Sequence, residues 1–442
     1  MNHSQILDAA KDVLNKNWNG HFTKPAPNLY PHQWNWDSGF IAIGLAHFNM
    51  DRAEAELRHL FKGQWSNGML PHIVFGEEKE AHYFPGKDFW ETEKSEYAPF
   101  NQATSGITQP PVHGFVLERI YEIAEDKKRA KAFLKELFPK VVSLHKYLYD
   151  NRDPLEEGLI YIQHPWVSGT DNSPCWDDAL SMIDVKKLEI PKYIRQDLQN
   201  PKAALHRPTD LDYDRYVHLV DIFRSNNYND KVIYEECPFL IQDPLFNGIL
   251  TKSNEALIKI GGLLGEDVSE IVQWNELTLF SMNEKLWDEE WGIYNAYDLR
   301  NEKLILNETS NGLIPLFGGV PIQEQAELML KLLNHPAFSG DRSTETWGYP
   351  TYSLLAEDID YEKYWRGPIW INMNWLLHNG LKRFDFEKEA EMLKEHSLEL
   401  LSKHGFFEYF DPRKSIDKAA GYGTNQFSWS AALCIDFLMD VD

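Results

Sequence analysis

The chain is poor in cysteine, poor in positive charge, and without a long apolar run. Three cysteines in 442 residues, Cys175, Cys237 and Cys434, are far apart and odd in number, and no Cys-x-x-Cys occurs. That excludes a disulfide framework and fits a reducing compartment. Lysine and arginine number 44 against 68 acidic residues, a formal net charge of −24. Such a balance argues against nucleic acid and against anionic membrane surfaces as partners. No stretch approaches eighteen consecutive apolar residues, so no transmembrane helix is expected. The first residues lack a basic region followed by an apolar one, so no secretory signal is expected and a cytoplasmic location is. No His pair has metal-ligand spacing and no phosphate-binding glycine loop or Gly-x-Ser-x-Gly appears, so neither a catalytic metal nor a cofactor is expected.

What is abundant is aromatic: 15 Trp, 20 Tyr and 24 Phe, 13% of the chain. Most of these must be core. Aromatics in such number also line sugar clefts, because the apolar face of a pyranose packs on an indole. Apolar spacing of i, i+3, i+4, i+7 predicts a helix over 4–17 and a long series after it. The series runs 37–47, from 51 onward, 110–125, 129–149, 210–226, 244–264, 267–287, 310–317, 322–334, 368–383, 386–403 and 425–439. Strands are few: a short extended piece at 158–163 and a hairpin at 288–297. Aromatic loops separate alternate helices, and the loop ending Trp36-Asp37 is echoed at Trp176-Asp177. The pattern predicts an all-α fold, an (α/α)6 toroid of six helical hairpins. It is read as one catalytic domain over 1–442, with loop insertions at about 66–109 and 175–212. A solenoid is the rival, but no fixed period of the kind solenoids show is present.

Two stretches carry chemistry. In Trp166–Asp177, tryptophans bracket a turn built of Ser168-Gly169 and Asn172-Ser173-Pro174, and the turn presents Asp171. A carboxyl between indoles is desolvated, which raises its pKa toward that of a proton donor at neutral pH. A turn-capping role accounts for the same residue. In Phe407–Pro412, Glu408 lies among aromatics; taken alone it reads as a solvated surface carboxylate. Two carboxyls facing one cleft are the minimal equipment for glycoside hydrolysis.

Five segments together, Tyr30-Pro-His-Gln-Trp-Asn-Trp-Asp-Ser38, Ser168-Gly-Thr-Asp-Asn-Ser-Pro174, Tyr364-Trp-Arg-Gly-Pro-Ile-Trp370, Phe407-Glu-Tyr-Phe-Asp-Pro412 and Phe427-Ser-Trp-Ser-Ala-Ala432, resemble glycoside hydrolase family 63 in its motif order. They cover residues 28–433. The resemblance implies an (α/α)6 barrel and an inverting mechanism on α-glucosides or α-mannosides, with Asp171 as general acid and Glu408 as general base. Inversion needs room for a water, a carboxyl separation of roughly 6.5–9.5 Å. The loop pattern is most similar to the bacterial mannosylglycerate and glucosylglycerate hydrolases of that family. That similarity implies a sugar subsite of Trp34, Trp36, Asp37, Trp166, Trp365 and Trp370, with Asp37 and the backbone near Gly169 meeting sugar hydroxyls, and Tyr364 as a further substrate-binding residue. It also implies Arg207, Tyr213, Gln109, Tyr30 and Tyr83 around the glycerate.

Apart from the family, a guanidinium fork binds a carboxylate bidentately, and an acidic protein that takes an acid needs one. Arg207 equally fits a surface ion pair with Asp210 or Asp212. His72 and His164 fit either the pocket or a structural role. Three readings of function follow: a hydrolase of a small acidic α-glycoside, an α-glucosidase for neutral di- or oligosaccharides, and a sugar-binding toroid without hydrolysis. An epimerase on this architecture would use paired histidines, where the aromatic loops present carboxylates instead.

Overall fold

The computed structural model describes residues 1–27, 29–76, 83–195, 197–198, 204–341, 345–414 and 421–439. Parts of both loops marked as insertions, 77–82, 196 and 199–203, lie outside the described residues.

Among the described residues the architecture is carried, shorter helices aside, by α1 (His3–Asn17), α2 (Asn35–Ala46), α3 (Met50–Leu60), α4 (His113–Ile123), α5 (Lys127–Arg152), α6 (Asp210–Ser225), α7 (Pro244–Leu264), α8 (Ser269–Ser281), α9 (Pro315–Gly318), α10 (Gln323–Leu333), α11 (Ile371–Arg383), α12 (Glu387–His404) and α13 (Ser428–Met439). Hydrophobicity sorts them into two rings. All twelve residues of α2 are buried, as is α13 from Ser428 to Phe437. A helix apolar all round has no face for water and belongs inside. By contrast α3 and α10 bury only one stripe, Leu57 and Leu60 or Met329 and Leu333. Among the described residues α2, α4, α7, α9, α11 and α13 pack neighbour to neighbour as a closed inner ring, with α3, α5, α8, α10, α12 and α1 outside them. This is the (α/α)6 toroid expected from the sequence.

The ring closes where the first and last helices meet. Outer helix α1 pairs with inner helix α13, and Asn17 donates to Ser428 Oγ and to the Gln426 carbonyl, both at 2.8 Å. Inner neighbours touch through glycine. A Cβ on Gly44 of α2 would lie 2.4 Å from Ala432 Cα of α13, and one on Gly114 of α4 2.4 Å from the Ser253 carbonyl of α7.

Boundaries differ from the sequence reading in places. Helix α2 begins two residues early, at Asn35, because the backbone N–H of Asn35 bonds the His72 carbonyl at the end of a two-stranded ribbon (Gln33–Trp34 against Ile73–Val74). The expected 267–287 helix ends at Ser281, loosens into a π-turn over Met282–Leu286 and becomes the first strand of the expected hairpin, Trp287–Asp288 against Ile293–Tyr294. The 310–317 helix is a 3-10 turn, Ser310–Leu313, followed by α9 with Pro315 in its first turn. The extended piece expected at 158–163 is the strand Tyr161–Ile162 of a four-stranded antiparallel sheet with Ile241–Gln242, Ala296–Asp298 and Lys303–Ile305; the sheet itself is not in the sequence reading, because strands of two or three residues are too short for a periodic signal. No helix among the described residues is long and apolar enough to cross a membrane.

Gly44→Ala is expected to lower stability by about 1–3 kcal/mol, since the clash is with backbone and cannot be relieved by a rotamer. Gly262→Ala, whose Cβ meets nothing within 4 Å on the exposed face of α7, is expected to raise it by about 0.5–1 kcal/mol. Thermal denaturation of the two variants beside the parent checks both signs.

Candidate active site

The N-terminal ends of α2, α11 and α13 open on one cavity of about 100 Å³, room for several waters. It is lined by Tyr30, Trp34, Trp36, Asp37, His72, Tyr83, Gln109, Trp166, Gly169, Asp171, Arg207, Tyr213, Tyr364, Trp365, Trp370 and Glu408. Every residue the sequence singles out for catalysis or substrate binding is in that lining.

Asp171 sits at the tip of a stapled turn. Trp176 Nε1 donates to the Thr170 carbonyl at 2.9 Å, Asn311 donates to Thr170 Oγ1 at 3.1 Å, and Tyr216 Oη donates to the Asp171 carbonyl at 2.9 Å. Gly169, at φ +77°, lets this turn lie against Trp36: a Cβ there would meet the indole at 2.6 Å. With its backbone so held, the Asp171 carboxyl faces the cavity. Burial, opposed by Arg207 and reinforced by Glu408, pushes its pKa up to about 7.

Glu408 enters the cavity on the strand Phe407–Phe410, paired with Gly421–Asn425. It is 1% exposed, so its surface reading is overturned. Oε1 accepts from Tyr30 Oη at 2.6 Å, and Oε2 accepts from Arg207 Nη2 at 2.9 Å and from the Thr424 N–H at 3.2 Å. Arg207 also donates through Nη1 to Tyr30 Oη at 2.9 Å and lies over the Tyr364 ring at 4.4 Å. The surface ion pair considered for Arg207 is therefore wrong. Asp210 is held by Arg195 at 3.1 Å, Asp212 caps α6 at Thr209, and Arg207 is only 6% exposed. Burial opposes the Arg207 charge, but Glu408 and the tyrosines around it hold the guanidinium protonated.

The aromatic wall is rigid. Trp365 and Trp370 stack at 3.8 Å and 4°, Trp370 stacks on Tyr409 at 5.0 Å, and Trp370 Nε1 donates to the Tyr364 carbonyl at 2.9 Å. Asn172, beside Asp171, accepts from the Trp365 N–H at 2.9 Å, which ties the wall to the acid's turn. Asp37, in the first turn of α2, is buried. Desolvation first, then Glu408 and Asp171, raise its pKa well above the carboxylate range. His72 reaches the cavity, but its Nδ1 is engaged by Ser105 Oγ at 2.6 Å, and burial keeps it neutral. His164 is structural: Nδ1 accepts from the Trp166 N–H and Nε2 donates to the Tyr216 carbonyl. Gln109 Oε1 accepts from the Trp36 N–H at 3.3 Å, and Tyr213 Oη donates to the Phe84 carbonyl at 3.3 Å.

Sequence reasoning misses Trp429, Phe427, Phe84, Pro25, Leu29, Asp197 and Pro208. The first two stand in the Phe427-Ser-Trp-Ser motif, where the signal is present. Asp197, paired with Arg195 at 2.6 Å, has none. Among the described residues no group of three His, Cys, Asp or Glu could hold a metal.

A pair of carboxyls in one aromatic cavity, one with its pKa raised to about 7 by burial and one paired with arginine, is equipped to protonate a leaving oxygen and to take a proton from water. Comparison with known proteins agrees. Residues 30–430 match the mannosylglycerate hydrolase MGH1-like glycoside hydrolase domain. The mannosylglycerate hydrolase of Rubrobacter radiotolerans is 41% identical over 98% of this chain and 97% of its own length. The glucosylglycerate hydrolase of Mycolicibacterium hassiacum is 35% identical over 98% of both. The crystal structure of the family 63 mannosylglycerate hydrolase of Thermus thermophilus with Tris and D-glycerate superimposes with a TM-score of 0.88 at 41% identity, covering 97% of this chain and 99% of that one.

Chemistry that needs protonated Asp171 falls as pH rises through about 7, tenfold per unit beyond it. The kcat/KM profile on an α-glycoside is expected to show an alkaline limb near pH 7, and Asp171→Asn to remove that limb from whatever activity remains.

Proposed function

The chain belongs to the MGH1-like glycoside hydrolases of family 63, inverting enzymes that cleave small glycosides, and from that premise we propose that it hydrolyses mannosylglycerate or glucosylglycerate with Asp171 as general acid and Glu408 as general base. The observation that carries the assignment is the convergence of Asp171, Glu408 and Arg207 on one cavity from segments far apart in sequence.

The sugar ring lies against the Trp365–Trp370 stack, with Trp34, Trp36 and Trp166 around it and Asp37 accepting from its hydroxyls. Asp171 gives its proton to the glycosidic oxygen as the C1–O bond breaks. A water on the other face of the ring bonds to C1 and loses its proton to Glu408, so the anomeric centre inverts. The two carboxyls stand in different environments, Asp171 with its pKa raised to about 7 by burial and Glu408 paired with Arg207, as this division of labour needs. The acidic aglycone is supported by Arg207, a buried guanidinium at the cavity in a protein of net charge −24, with Tyr30, Tyr83, Gln109 and Tyr213 about it.

Asp171→Asn and Glu408→Gln are each expected to lower kcat on mannosylglycerate or glucosylglycerate by about 10²–10⁴-fold with the fold intact. Losses within tenfold would remove the assignment. NMR of the freshly released sugar is expected to show the β anomer first. Arg207→Ala is expected to cost more on these acidic glycosides than on a neutral disaccharide; equal loss on both would favour the neutral α-glucosidase reading.

A further inference from the structure

Arg207 has one guanidinium and two claims on it. Its Nη2 is bonded to Glu408, while the acidic aglycone proposed above needs the same fork. Both Glu408 oxygens are engaged: Oε1 by Tyr30 Oη at 2.6 Å, Oε2 by Arg207 at 2.9 Å and the Thr424 N–H at 3.2 Å. An sp² oxygen has two lone pairs, so Oε2 is saturated and only one acceptor site, on Oε1, is left for water. Protonation of Glu408 in this state would also leave a buried guanidinium without its counter-ion. Arg207, for its part, keeps donor capacity in reserve. Its Nη1 serves Tyr30 Oη, and its Nε is buried with no partner among the described residues.

Resting on the reading of this cavity as an acidic-glycoside hydrolase, we propose that the aglycone carboxylate exchanges with Glu408 on Arg207, and that this exchange frees Glu408 to accept the proton of the attacking water. The guanidinium then meets a carboxylate before and after the exchange, and Glu408 keeps the Tyr30 Oη and Thr424 N–H donors. Tyr30 Oη, already bonded to both partners, stays on Glu408 and keeps it oriented. Recognition of the aglycone's charge therefore enters kcat and not only KM. A neutral glycoside would bind, but leave the base engaged.

Glycosyl fluorides separate the two effects, because fluoride leaves the aglycone space empty. In their hydrolysis the C1–F bond breaks and a C1–O bond to water forms; Glu408 takes the water's proton and Asp171 gives one to fluoride. Turnover of α-mannosyl and α-glucosyl fluoride is measured on the intact enzyme with D-glycerate, with glycerol, and with neither. D-glycerate is expected to raise kcat by roughly tenfold, a fraction of the effect of a positioned base, and glycerol to leave it unchanged. Arg207→Ala is expected to be faster than wild type without additive and indifferent to glycerate. Fluoride turnover that glycerate leaves unchanged or only inhibits, with Arg207→Ala no faster, overturns the exchange but leaves the hydrolase reading standing. Turnover no greater than that of Glu408→Gln, with or without glycerate, overturns both.

Discussion

The contact between α13 and α2 is the constraint on which everything else hangs. Inner helices α2 and α13 are buried on every side over nearly all their length, and the closed ring is what leaves them no face to water. Closure requires α13 and α2 to approach until Ala432 Cα occupies the space a side chain on Gly44 would need. Glycine at Gly114 does the same between α4 and α7, and at Gly380 between α11 and α9. Each of these costs some helix propensity. The ring returns it as packing, and brings the first turns of α2, α11 and α13 to one opening.

That opening concentrates charge the interior would otherwise reject. Three carboxyls, Asp37, Asp171 and Glu408, share a cavity with one guanidinium, Arg207. One cation cannot balance three anions in a poorly solvated space. Arg207 and Glu408 meet at 2.9 Å, and burial together with mutual repulsion drives Asp171 and Asp37 toward their neutral forms. Acid and base are thus told apart by which carboxyl the arginine touches, although both belong to the same aromatic box.

Much of this is legible in the sequence, for identifiable reasons. The helices are long and periodic, so the pattern fixes α7 to the residue and most others to within three. Asp171 is marked by turn formers and indoles immediately around it, a local signal. Glu408 is not: its neighbours along the chain are compatible with an exposed strand, and the side chains that pair it, Tyr30 and Arg207, come from 378 and 201 residues away. The resemblance to family 63 supplies what local pattern cannot. Arg207 shows the limit more sharply. Acidic residues three and five positions on make a surface pair reasonable, but Arg195 and the N-cap at Thr209 take them instead. The two-residue strands of the four-stranded sheet carry too few side chains for any alternation to register.

The outer partner of the last inner helix is the first helix of the chain, tied to it at Asn17–Ser428. Helix α1 therefore leaves the ribosome long before its partner is made. At 5–20 residues per second the interval is roughly 20–90 s, during which the apolar flank of α2 has no cover from α13. A nascent chain of this topology is one helix short of a finished ring until α13 emerges, and its need for chaperone protection is set by connectivity, not by the strength of any single contact.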